Sequence, residues 1–465
     1  MMDISKLESV SFEELEKGLY DYVCRLAREL TAKLLKDMDN YIKKTRDKSR
    51  FKIKQFRNDT IKTVYGEVEY DRRMYYDEQK QEYVFLLDEK LMMQKIGTVS
   101  THLAKIIAEA AADMPYRKAA ELINATTGIS ISPKGIWDIT QKVGKQIEKD
   151  EKEKIKQMKE DNCQGTIEAE TLFMEADGVY LKMQKNKKKA KSQELKLATF
   201  YTGWKGDRLY NKRLYIGMEP AEKFQKKAEA VALSYYDEDT IKHRVLNADG
   251  ATWITNTYNT DRIFQLDEFH IIEKTRACIK DKNTQALIIK SYKNKNYEEM
   301  ITIIDTYINS IDEGKETKQL KDAKALLTYF TGNFGALERW QERIDVTAPE
   351  GIEYKRMGVQ ESQNCSYITT RMKGRKMRWS EHGANALAKI IYMRENDDLD
   401  RVIKKLDGQI LLKDVDIDVT KVVTHIPKKI GKGSKYVDVF NATIPLLSSS
   451  KNFTSMLMRN VSNYE

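Results

Sequence analysis

The stretch Thr171-Leu-Phe-Met-Glu-Ala-Asp177-Gly-Val-Tyr-Leu-Lys182 places one carboxylate in the middle of an apolar, strand-forming run. It predicts a buried β-strand. Aspartate is depleted in strands and is costly to bury unpaired, so this Asp indicates a purpose, most commonly the binding of a cation. A second stretch, Arg244-Val-Leu-Asn-Ala-Asp249-Gly-Ala-Thr-Trp-Ile254, repeats the pattern. Asp-Gly is also a common turn dipeptide, but the apolar flanks favour strands and one shared site.

The composition limits the classes of protein to which the chain can belong. The 465 residues include 81 Lys and Arg against 71 Asp and Glu, a net charge of +10 that favours a polyanionic partner. The four cysteines form no CxxC pair, which excludes a disulfide scaffold and a zinc ribbon and suits a reducing cytosol. The N-terminus does not have the pattern of a signal peptide, and no apolar run is long enough for a bilayer, so we expect no membrane association.

The N-terminal third of the chain predicts DNA contacts in several places. Residues 5–48 have helical spacing, and the basic run Lys33–Lys54 is either a solvated helix face or a DNA-facing one. Residues 56–91 alternate with period two and predict a small β element with a turn at Gly66. This element is either a ribbon laid along DNA or a packing layer.

Residues 99–146 predict three helices, of which the last two form a helix-turn-helix. Gly128 breaks the second helix, and Ser132 with Pro133 opens the third as cap and first residue. In this arrangement Lys134, Gly135 and Asp138 face the DNA groove, whereas Ile136, Trp137 and Ile139 fill the core. A plain helical hairpin is the alternative. The charged residues 148–160 then predict a solvated helix before the first strand.

From residue 171 the order of elements is three strands, helix, strand, helix, strand, helix. This order predicts a ribonuclease-H-like fold, with a meander followed by strands that crossover helices join. In that fold the middle of the first strand and the end of the fourth are neighbours, and Asp177 and Asp249 occupy those places. Carboxylates there can hold Mg²⁺, and a pair of ions about 4 Å apart can activate a nucleophile and stabilise the leaving oxygen of a phosphodiester.

A third carboxylate is expected after a charged, mostly helical insertion. Glu361 starts a predicted helix whose later turns carry Arg371, Lys373, Arg375, Lys376 and Arg378. An acid that leads into a basic helix suits a phosphate-handling site. Glu338, Glu353 and Glu381 are the alternatives.

Four motifs in this order resemble those of bacterial insertion-sequence transposases of the DDE type, in the Mutator-like group and specifically its ISLre-type branch. The motifs are Glu175-Ala-Asp177-Gly-Val-Tyr, Asn247-Ala-Asp249-Gly-Ala-Thr-Trp-Ile, Asp267-Glu-Phe-His270, and Gly358-Val-Gln-Glu361 with Arg371-Met-Lys and Arg378-Trp379-Ser. Each motif alone is weak. Their order, with 72 residues from Asp177 to Asp249 and 112 from Asp249 to Glu361, is specific.

The resemblance implies that Asp177, Asp249 and Glu361 are the catalytic, metal-binding triad and that His270 belongs to the catalytic core. It implies Mg²⁺ as cofactor, with Mn²⁺ as a substitute. The partners would be double-stranded DNA, as terminal inverted repeats and target, and a second copy of the chain in at least a dimer. The protein would be cytoplasmic and nucleoid-associated. A nuclease or resolvase without strand joining, and a non-catalytic DNA-binding regulator, are the alternative functions.

The expected fold is an α/β ribonuclease-H-like catalytic core with an all-α insertion, preceded by an α+β DNA-binding region that contains a helix-turn-helix. The expected segments are an N-terminal helical region (1–55), a small β element (56–95), the helix-turn-helix (96–147), a charged linker helix (148–170), the first part of the core (171–273), the insertion (274–355), the last core helix (356–395) and a C-terminal region (396–465). The expected DNA-binding residues are Lys134, Lys187, Lys188, Lys189, Arg371, Lys373, Arg375 and Arg378.

Overall fold

The computed structural model describes residues 11–91, 95–96, 98–163, 165–184, 192–251, 254, 262–311 and 318–405, except the side chains of residues 95, 96 and 375. The strands are β1 Phe51–Thr63, β2 Gly66–Asp77, β3 Glu82–Val84, β4 Lys95–Ile96, β5 Val99–Ser100, β6 Thr171–Lys182, β7 Ser192–Tyr201, β8 Trp204–Lys205, β9 Arg208–Leu209, β10 Arg213–Gly217, β11 His243–Ala248 and β12 Arg262–Leu266.

The helices have the following bounds. They are α1 Phe12–Thr45, α2 Leu86–Leu91, α3 Thr101–Asp113, α4 Tyr116–Thr126, α5 Pro133–Lys159, α6 Ala221–Leu233, α7 Glu268–Cys278, α8 Lys282–Lys293, α9 Tyr297–Asn309, α10 Lys318–Gly332, α11 Trp340–Arg343, α12 Gln360–Gln363, α13 Glu381–Glu395 and α14 Leu399–Lys404. A π-helical segment, Asn364–Lys373, continues α12 directly.

Five strands form a mixed sheet in the order β10–β7–β6–β11–β12. Strand β7 pairs antiparallel with β6 and with β10, whereas β11 pairs parallel with β6 and with β12. The strand that comes first in sequence therefore lies at the centre, and β11 lies directly beside it, as the order of elements predicted. Because Ala248 pairs with Ala176, Asp249 leaves the end of β11 alongside Asp177.

Alternate residues of β6 enter two different cores. The main core, shared with helices α3, α5, α6 and α13, takes Leu172, Met174 and Ala176. Phe173 instead packs on the opposite face of the sheet, where its ring stacks on Tyr201 at 5.4 Å. Glu175 and Asp177 follow Phe173 at period two, so they share this second face. The sheet therefore buries one face under helices and carries its acidic residues on the other.

Helix α5 is continuous over 27 residues, and one face of its second half is buried. The expectation of a solvated linker helix from residue 148 is wrong for this face, because Asp150, Glu151 and Lys154 are buried, whereas Lys152 and Glu153 on the other face are exposed. The buried charges are compensated by residues far away in sequence. Helix α5 therefore packs the region before residue 148 against the core that covers the sheet, and it does not act as a linker between them.

A buried ion network joins α5 to helices α6 and α13. The carboxylate of Glu151 accepts hydrogen bonds from Lys389 Nζ at 2.6 Å and Tyr392 Oη at 2.8 Å, and it pairs with Lys227 Nζ at 2.8 Å. Glu219 pairs with the same two ammonium groups. Two carboxylates thus balance two ammonium groups from α6 and α13. Removal of one member would leave an uncompensated charge in the core, which typically costs about 3–5 kcal/mol.

The N-terminal region is a helix on a twisted hairpin. Strands β1 and β2 pair from Phe51 with Asp77 to Thr63 with Gly66, and α1 packs on β2. The third strand is shorter than predicted and ends at Val84. The apolar run after it forms helix α2 instead, because Leu86 and Leu87 are buried in the core beneath α1.

Helices α8 to α10 pack around a second core of their own. Ile304 and Phe330 are fully buried there, together with Leu266 from the end of β12. The predicted amphipathic helices at 297–311 and 317–330 correspond to α9 and α10, and α8 precedes them. The second core therefore continues from the edge of the sheet.

No helix in the described ranges is both long and apolar enough to cross a membrane. All four cysteines carry free thiols, namely Cys24, Cys163, Cys278 and Cys365.

The ion network makes the stability of the protein depend on pH through Glu219. Burial raises the pKa of this carboxyl, but Lys389 and Lys227 outweigh burial and lower it to about 2, below its ordinary value of 4.5. A carboxyl with a lowered folded pKa stabilises the fold above its unfolded pKa and loses that contribution as the pH falls. As the pH falls from above 4.5 to about 2, we expect the free energy of unfolding to decrease by up to about 3 kcal/mol through Glu219.

Urea unfolding at stepped pH measures this contribution. Glu219→Gln should flatten the pH dependence, whereas Glu222→Gln, at an exposed position on α6, should leave it unchanged. The same pH dependence in Glu219→Gln as in the wild-type protein would contradict the assignment.

Candidate active site

The four residues predicted for the catalytic site come together at one edge of the mixed sheet. Asp177 lies in β6, Asp249 follows β11, Glu361 lies in α12 and His270 lies in the first turn of α7. Burial is the largest influence on the pKa of Asp177, which is raised to about 6. The Gly178 N–H and His270 lower it, and the charges of Asp249 and Glu361 raise it. Such effects need short distances, so the residues share one site.

Among the candidates for the third acid, Glu361 is the one with an effect on the pKa of Asp177. Glu353 instead pairs with Lys355 at 3.2 Å, and its backbone bridges Trp204. Glu338 lies two residues before α11, and Glu381 opens α13. The charge of Glu361 acting on Asp177 therefore favours Glu361 as the third acid.

Asn364 connects the helix of Glu361 with Asp177. Its Nδ2 donates a hydrogen bond to Asp177 Oδ2 at 2.7 Å, while Asp177 Oδ1 accepts the Gly178 N–H at 2.7 Å. The amide oxygen of Asn364 is buried and has no hydrogen-bond donor among the described residues. Asn364 was not among the predicted site residues, although it lies three residues after Glu361 on the same helix face.

Glu175 is the most deeply buried carboxylate near the site. Its five donors are the hydroxyl of Tyr201 (2.6 Å), the amide of Asn247 (3.2 Å) and the backbone N–H groups of Gly358 (3.1 Å), Val359 (3.0 Å) and Gln360 (3.2 Å). Burial raises the pKa of Glu175, and the hydrogen bonds from Tyr201 and Gly358 oppose that shift. Because three of the donors precede or begin α12, Glu175 fixes the start of the helix that carries Glu361.

Gly358 makes this contact possible. Its φ of +125° lies in a region that side chains rarely adopt, and the turn aims successive N–H groups at Glu175. The first N–H groups of a helix have no partner within the helix and carry partial positive charge, so a buried carboxylate satisfies them well.

The helix of Glu361 ends earlier than predicted. The π-helical segment after α12 ends at Lys373, and Ile368 within it is fully buried in the main core. The prediction of one basic helix through Arg378 is wrong, because the next residues turn back to β6, where the Trp379 N–H donates to the Lys182 carbonyl at 3.0 Å. Segments of π-helix are rare and are frequent at functional sites.

A row of polar residues crosses the sheet behind the acids. Asn247 pairs in register with Glu175 and with Gln265 on its two sides. Its Nδ2 also donates to Asp267 Oδ2 at 2.6 Å. Glu175 and Asn247 each stand two residues before an acid, on the same strand face. A polar residue at that spacing in a buried strand was the signal that could have found them.

Asp267 explains the spacing of the Asp-x-x-His motif. Its Oδ1 accepts the backbone N–H groups of Phe269 at 2.8 Å and His270 at 3.4 Å, so it is the N-cap of α7. The cap holds the first turn of α7, and with it His270, beside the end of β11. His270 Nδ1 lies 3.5 Å from the Glu273 carboxylate.

The insertion reaches the site through Tyr329 of α10. The backbone carbonyl of Asp249 accepts hydrogen bonds from Tyr329 Oη at 2.7 Å and Lys274 Nζ at 3.2 Å. The Lys274 ammonium also lies 3.6 Å from the centre of the Tyr329 ring. Burial lowers the pKa of Lys274, and the charge of Asp249 acts against that shift. Two elements outside the sheet thus hold the loop that carries Asp249.

The donor set suits a divalent cation. Carboxylate and amide oxygens are the ligands that Mg²⁺ and Mn²⁺ prefer. Burial and the charges of Asp249 and Glu361 raise the pKa of Asp177, and the buried amide oxygen of Asn364 has no hydrogen-bond donor among the described residues. Both observations favour a cation there. Within the described ranges, no three His, Cys, Asp or Glu side chains are already arranged as ligands of one ion. The residues that would hold it are Asp177, Asp249 and Glu361.

The predicted DNA-binding residues have different environments. Lys134, Lys373 and Arg378 are exposed. Arg371 is an exception, because its buried guanidinium donates to the Ala111 carbonyl at 2.8 and 2.9 Å and therefore cannot contact DNA as predicted. Lys187, Lys188, Lys189 and the Arg375 side chain lie outside the described residues.

Helices α4 and α5 form the predicted helix pair. Ser132 caps α5 by accepting the Gly135 N–H at 3.1 Å, and Ile136 and Ile139 are buried as predicted. Trp137 is only half-buried, so it is not the core residue we expected. Lys134 at the exposed start of α5 pairs with Asp138 at 3.1 Å.

Glu175 provides a test of how the site is positioned. Glu175→Gln replaces one acceptor oxygen with an amide donor and leaves some of the N–H groups of residues 358–360 without a partner. We expect a loss of about 2–4 kcal/mol in the free energy of unfolding and faster amide hydrogen exchange at these three residues. Urea unfolding and hydrogen-exchange mass spectrometry measure the two effects.

Glu170→Gln is the matched control, because Glu170 forms an exposed pair with Lys242 at 3.0 Å. Its loss should stay within about 0.5 kcal/mol. Unchanged exchange at residues 358–360 in Glu175→Gln would show that Glu175 does not hold the start of α12.

The sequence is similar to proteins of one family along most of its length. One UPF0236 protein of Caldanaerobacter subterraneus subsp. tengcongensis is 21% identical over 407 residues, which cover 85% of this chain and 81% of that protein. Another from the same organism is 23% identical over 405 residues, covering 84% and 80%, and its name joins eleven locus designations. The UPF0236 protein in the vanSb 3′ region of Streptococcus gallolyticus is 23% identical over 408 residues, covering 84% and 83%. The family model matches residues 6–406, so the chain belongs to the uncharacterised protein family UPF0236.

Proposed function

We propose that this protein is a DNA transposase of a bacterial insertion sequence. It would cleave DNA at the ends of the element and join the freed 3′ ends to target DNA. The observation that carries the proposal is the convergence of Asp177, Asp249 and Glu361 from β6, the end of β11 and α12, with His270 beside them.

The topology of the mixed sheet supports a ribonuclease-H-like core. Three antiparallel strands are followed by two parallel ones, and the first strand lies at the centre beside the fourth. This arrangement brings acids from the first and fourth strands together, as such a core requires. Helices α8 to α11, which lie within residues 274–355, would form the insertion of the proposed core.

Asp177, Asp249 and Glu361 would hold Mg²⁺ or Mn²⁺, which when bound supplies Lewis-acid activation of a phosphodiester. The chain's own residues would position the reactants. Glu175 and Asn364 set the distance between the helix of Glu361 and β6, and His270 would donate a hydrogen bond to a phosphate oxygen.

Exposed basic residues support double-stranded DNA as the partner. Lys134, Lys373 and Arg378 would contact phosphates of the terminal inverted repeats or the target. The helix pair α4–α5 would recognise the repeats. Transposition joins two element ends, so at least a dimer is expected, associated with the nucleoid.

The names of the relatives add independent support. One joins eleven locus designations and another joins four. A coding sequence found at many loci is the expected result of an element that moves and multiplies. A regulator or a housekeeping nuclease has no such reason to be repeated.

A strand-transfer assay tests the proposal. Labelled DNA that carries the element ends is incubated with the full chain, Mg²⁺ and a plasmid target. We expect cleavage and joining by the wild-type protein and a loss of at least about 100-fold in Asp177→Asn, Asp249→Asn and Glu361→Gln. Glu353→Gln, whose carboxylate pairs with Lys355, is the matched control and should retain activity.

The other outcomes identify the alternatives. Cleavage without joining would indicate a nuclease or resolvase. Specific binding without metal-dependent chemistry would indicate a regulator. Full activity in Asp249→Asn would exclude the triad altogether.

A further inference from the structure

Six basic side chains lie together where helix α1 ends and strand β1 begins. We name this surface the basic corner, and its members are Lys43, Lys44, Lys48, Lys52, Lys54 and Arg57. All six are exposed, and within the described residues none of them forms an ion pair with a carboxylate. None of the residues expected from the sequence to bind DNA belongs to it.

Most of the net charge of the chain is concentrated at the basic corner. Residues 41–57 contain eight lysines and arginines and one aspartate, a net charge of +7, whereas the whole chain carries +10. All other residues together therefore carry only +3. Like charges at this density repel one another, and a bound polyanion would relieve that repulsion.

The turn between α1 and β1 holds the basic corner in place. Arg46 Nε donates to the Phe51 carbonyl at 3.0 Å, and the Phe51 N–H donates to the Asp47 carbonyl at 3.0 Å. Arg50 binds the neighbouring acid, Asp77, through Nε at 2.9 Å and Nη2 at 2.7 Å. Two arginines thus build the turn and occupy the adjacent carboxylate. A polyanion would meet a surface that is already ordered, which lowers the entropic cost of binding.

The first half of β1 is an exposed edge strand. Seven successive residues, Lys52–Asn58, are exposed, although β2 pairs with most of them. On its other side β1 pairs with β5 only at Lys62 with Val99, so the edge beside the basic corner is open within the described residues. A ligand can therefore approach β1 without displacing another element.

Structural roles explain part of this charge. Lysine on an edge strand discourages pairing with another sheet, and Lys43 and Lys44 suit the last turn of a helix. Neither role applies to Lys48 in the turn, and neither requires six cations without a carboxylate partner. The surplus of positive charge therefore indicates an external partner.

The span of the basic corner fits an extended polyanion better than a small one. Lys52 and Arg57 are separated by about 16 Å of strand. A DNA duplex carries about one negative charge per 1.7 Å of its axis, so about nine phosphate charges face that length, whereas a single phosphate group reaches only one or two cations.

Strand β1 also leads from the basic corner to the predicted helix pair. Lys62, near the other end of β1, donates to the Ser130 carbonyl at 3.3 Å, in the segment between α4 and α5. About 26 Å of strand separates Lys54 from Lys62. A duplex is long enough to follow β1 over this distance.

We propose that the basic corner binds the phosphate backbone of double-stranded DNA, independently of base sequence and of the cation site. It supplies the sequence-independent part of the affinity, whereas the helix pair α4–α5 would read the repeats. The choice of DNA among polyanions rests on the proposed function. The location of the surface rests on charge and exposure alone.

Fluorescence anisotropy with a labelled duplex of random sequence tests the proposal, with the full chain in EDTA at stepped salt concentrations. The affinity of the wild-type protein should fall linearly on a plot of log K against log salt. A combined Lys48→Gln, Lys52→Gln and Lys54→Gln variant should reduce the magnitude of that slope by about 3 and weaken binding at least about 10-fold at about 0.1 M salt.

A combined Lys282→Gln, Lys290→Gln and Lys293→Gln variant is the matched control. It removes the same charge from exposed lysines of α8 that form no ion pair within the described residues. The control should keep the wild-type slope, and circular dichroism verifies that both variants keep their helix content. An equal loss in the two variants would overturn the proposal, because only the total charge would then matter.

Two further outcomes would overturn it. One is a wild-type protein that does not bind the random duplex, or a corner variant with an unchanged slope. The other is binding to vesicles of anionic lipid that the corner variant loses while its DNA binding remains, which would assign the basic corner to a membrane surface. The assay needs neither element ends nor metal, and Asp177→Asn should bind the random duplex like the wild-type protein. Failure of this proposal and failure of strand transfer are therefore distinguishable.

Discussion

The architecture of the site depends on one buried carboxylate, that of Glu175. A carboxylate without access to water must be satisfied by nearby donors, and here backbone N–H groups more than 180 residues later in the chain supply three of its hydrogen bonds. The chain must therefore return from the insertion to the centre of the sheet before α12 can begin. Glu361 and Asn364 take their places relative to Asp177 as a consequence. The acids are positioned by a polar network that is buried behind them.

A second set of buried charges joins helices α3 and α5, which precede the mixed sheet in sequence, to elements that pack on that sheet. Glu151 of α5 is held by Lys389 and Lys227, and the guanidinium of Arg371 holds the end of α3 through the Ala111 carbonyl. The exposed start of α5 and the acids are thus parts of one packed unit. In the proposed transposase, DNA contacts at Lys134 would be transmitted to the site through packed helices.

Local sequence patterns predicted the bounds of strands and helices better than they predicted which charged side chains are buried. Strand β6 has the predicted bounds, and its first six residues are buried, as the apolar run in residues 171–182 predicts. The burial of α5 could not be predicted this way, since a dense run of charges indicates solvation when its partners lie elsewhere in the chain. Arg371 was wrongly assigned to DNA for the same reason. Glu175 and Asn364 were missed because their partners are set by tertiary structure, although their spacing from the acids was visible.

In the proposed transposase, Asp177, Asp249 and Glu361 together form a cation site. Anomalous diffraction from crystals of the full chain soaked in Mn²⁺ locates such an ion independently of any activity. We predict a strong peak within bonding distance of the Asp177 and Asp249 carboxylates, and its loss in Asp177→Asn crystals. A peak confined to other residues, or one that persists in Asp177→Asn, would exclude this cation site.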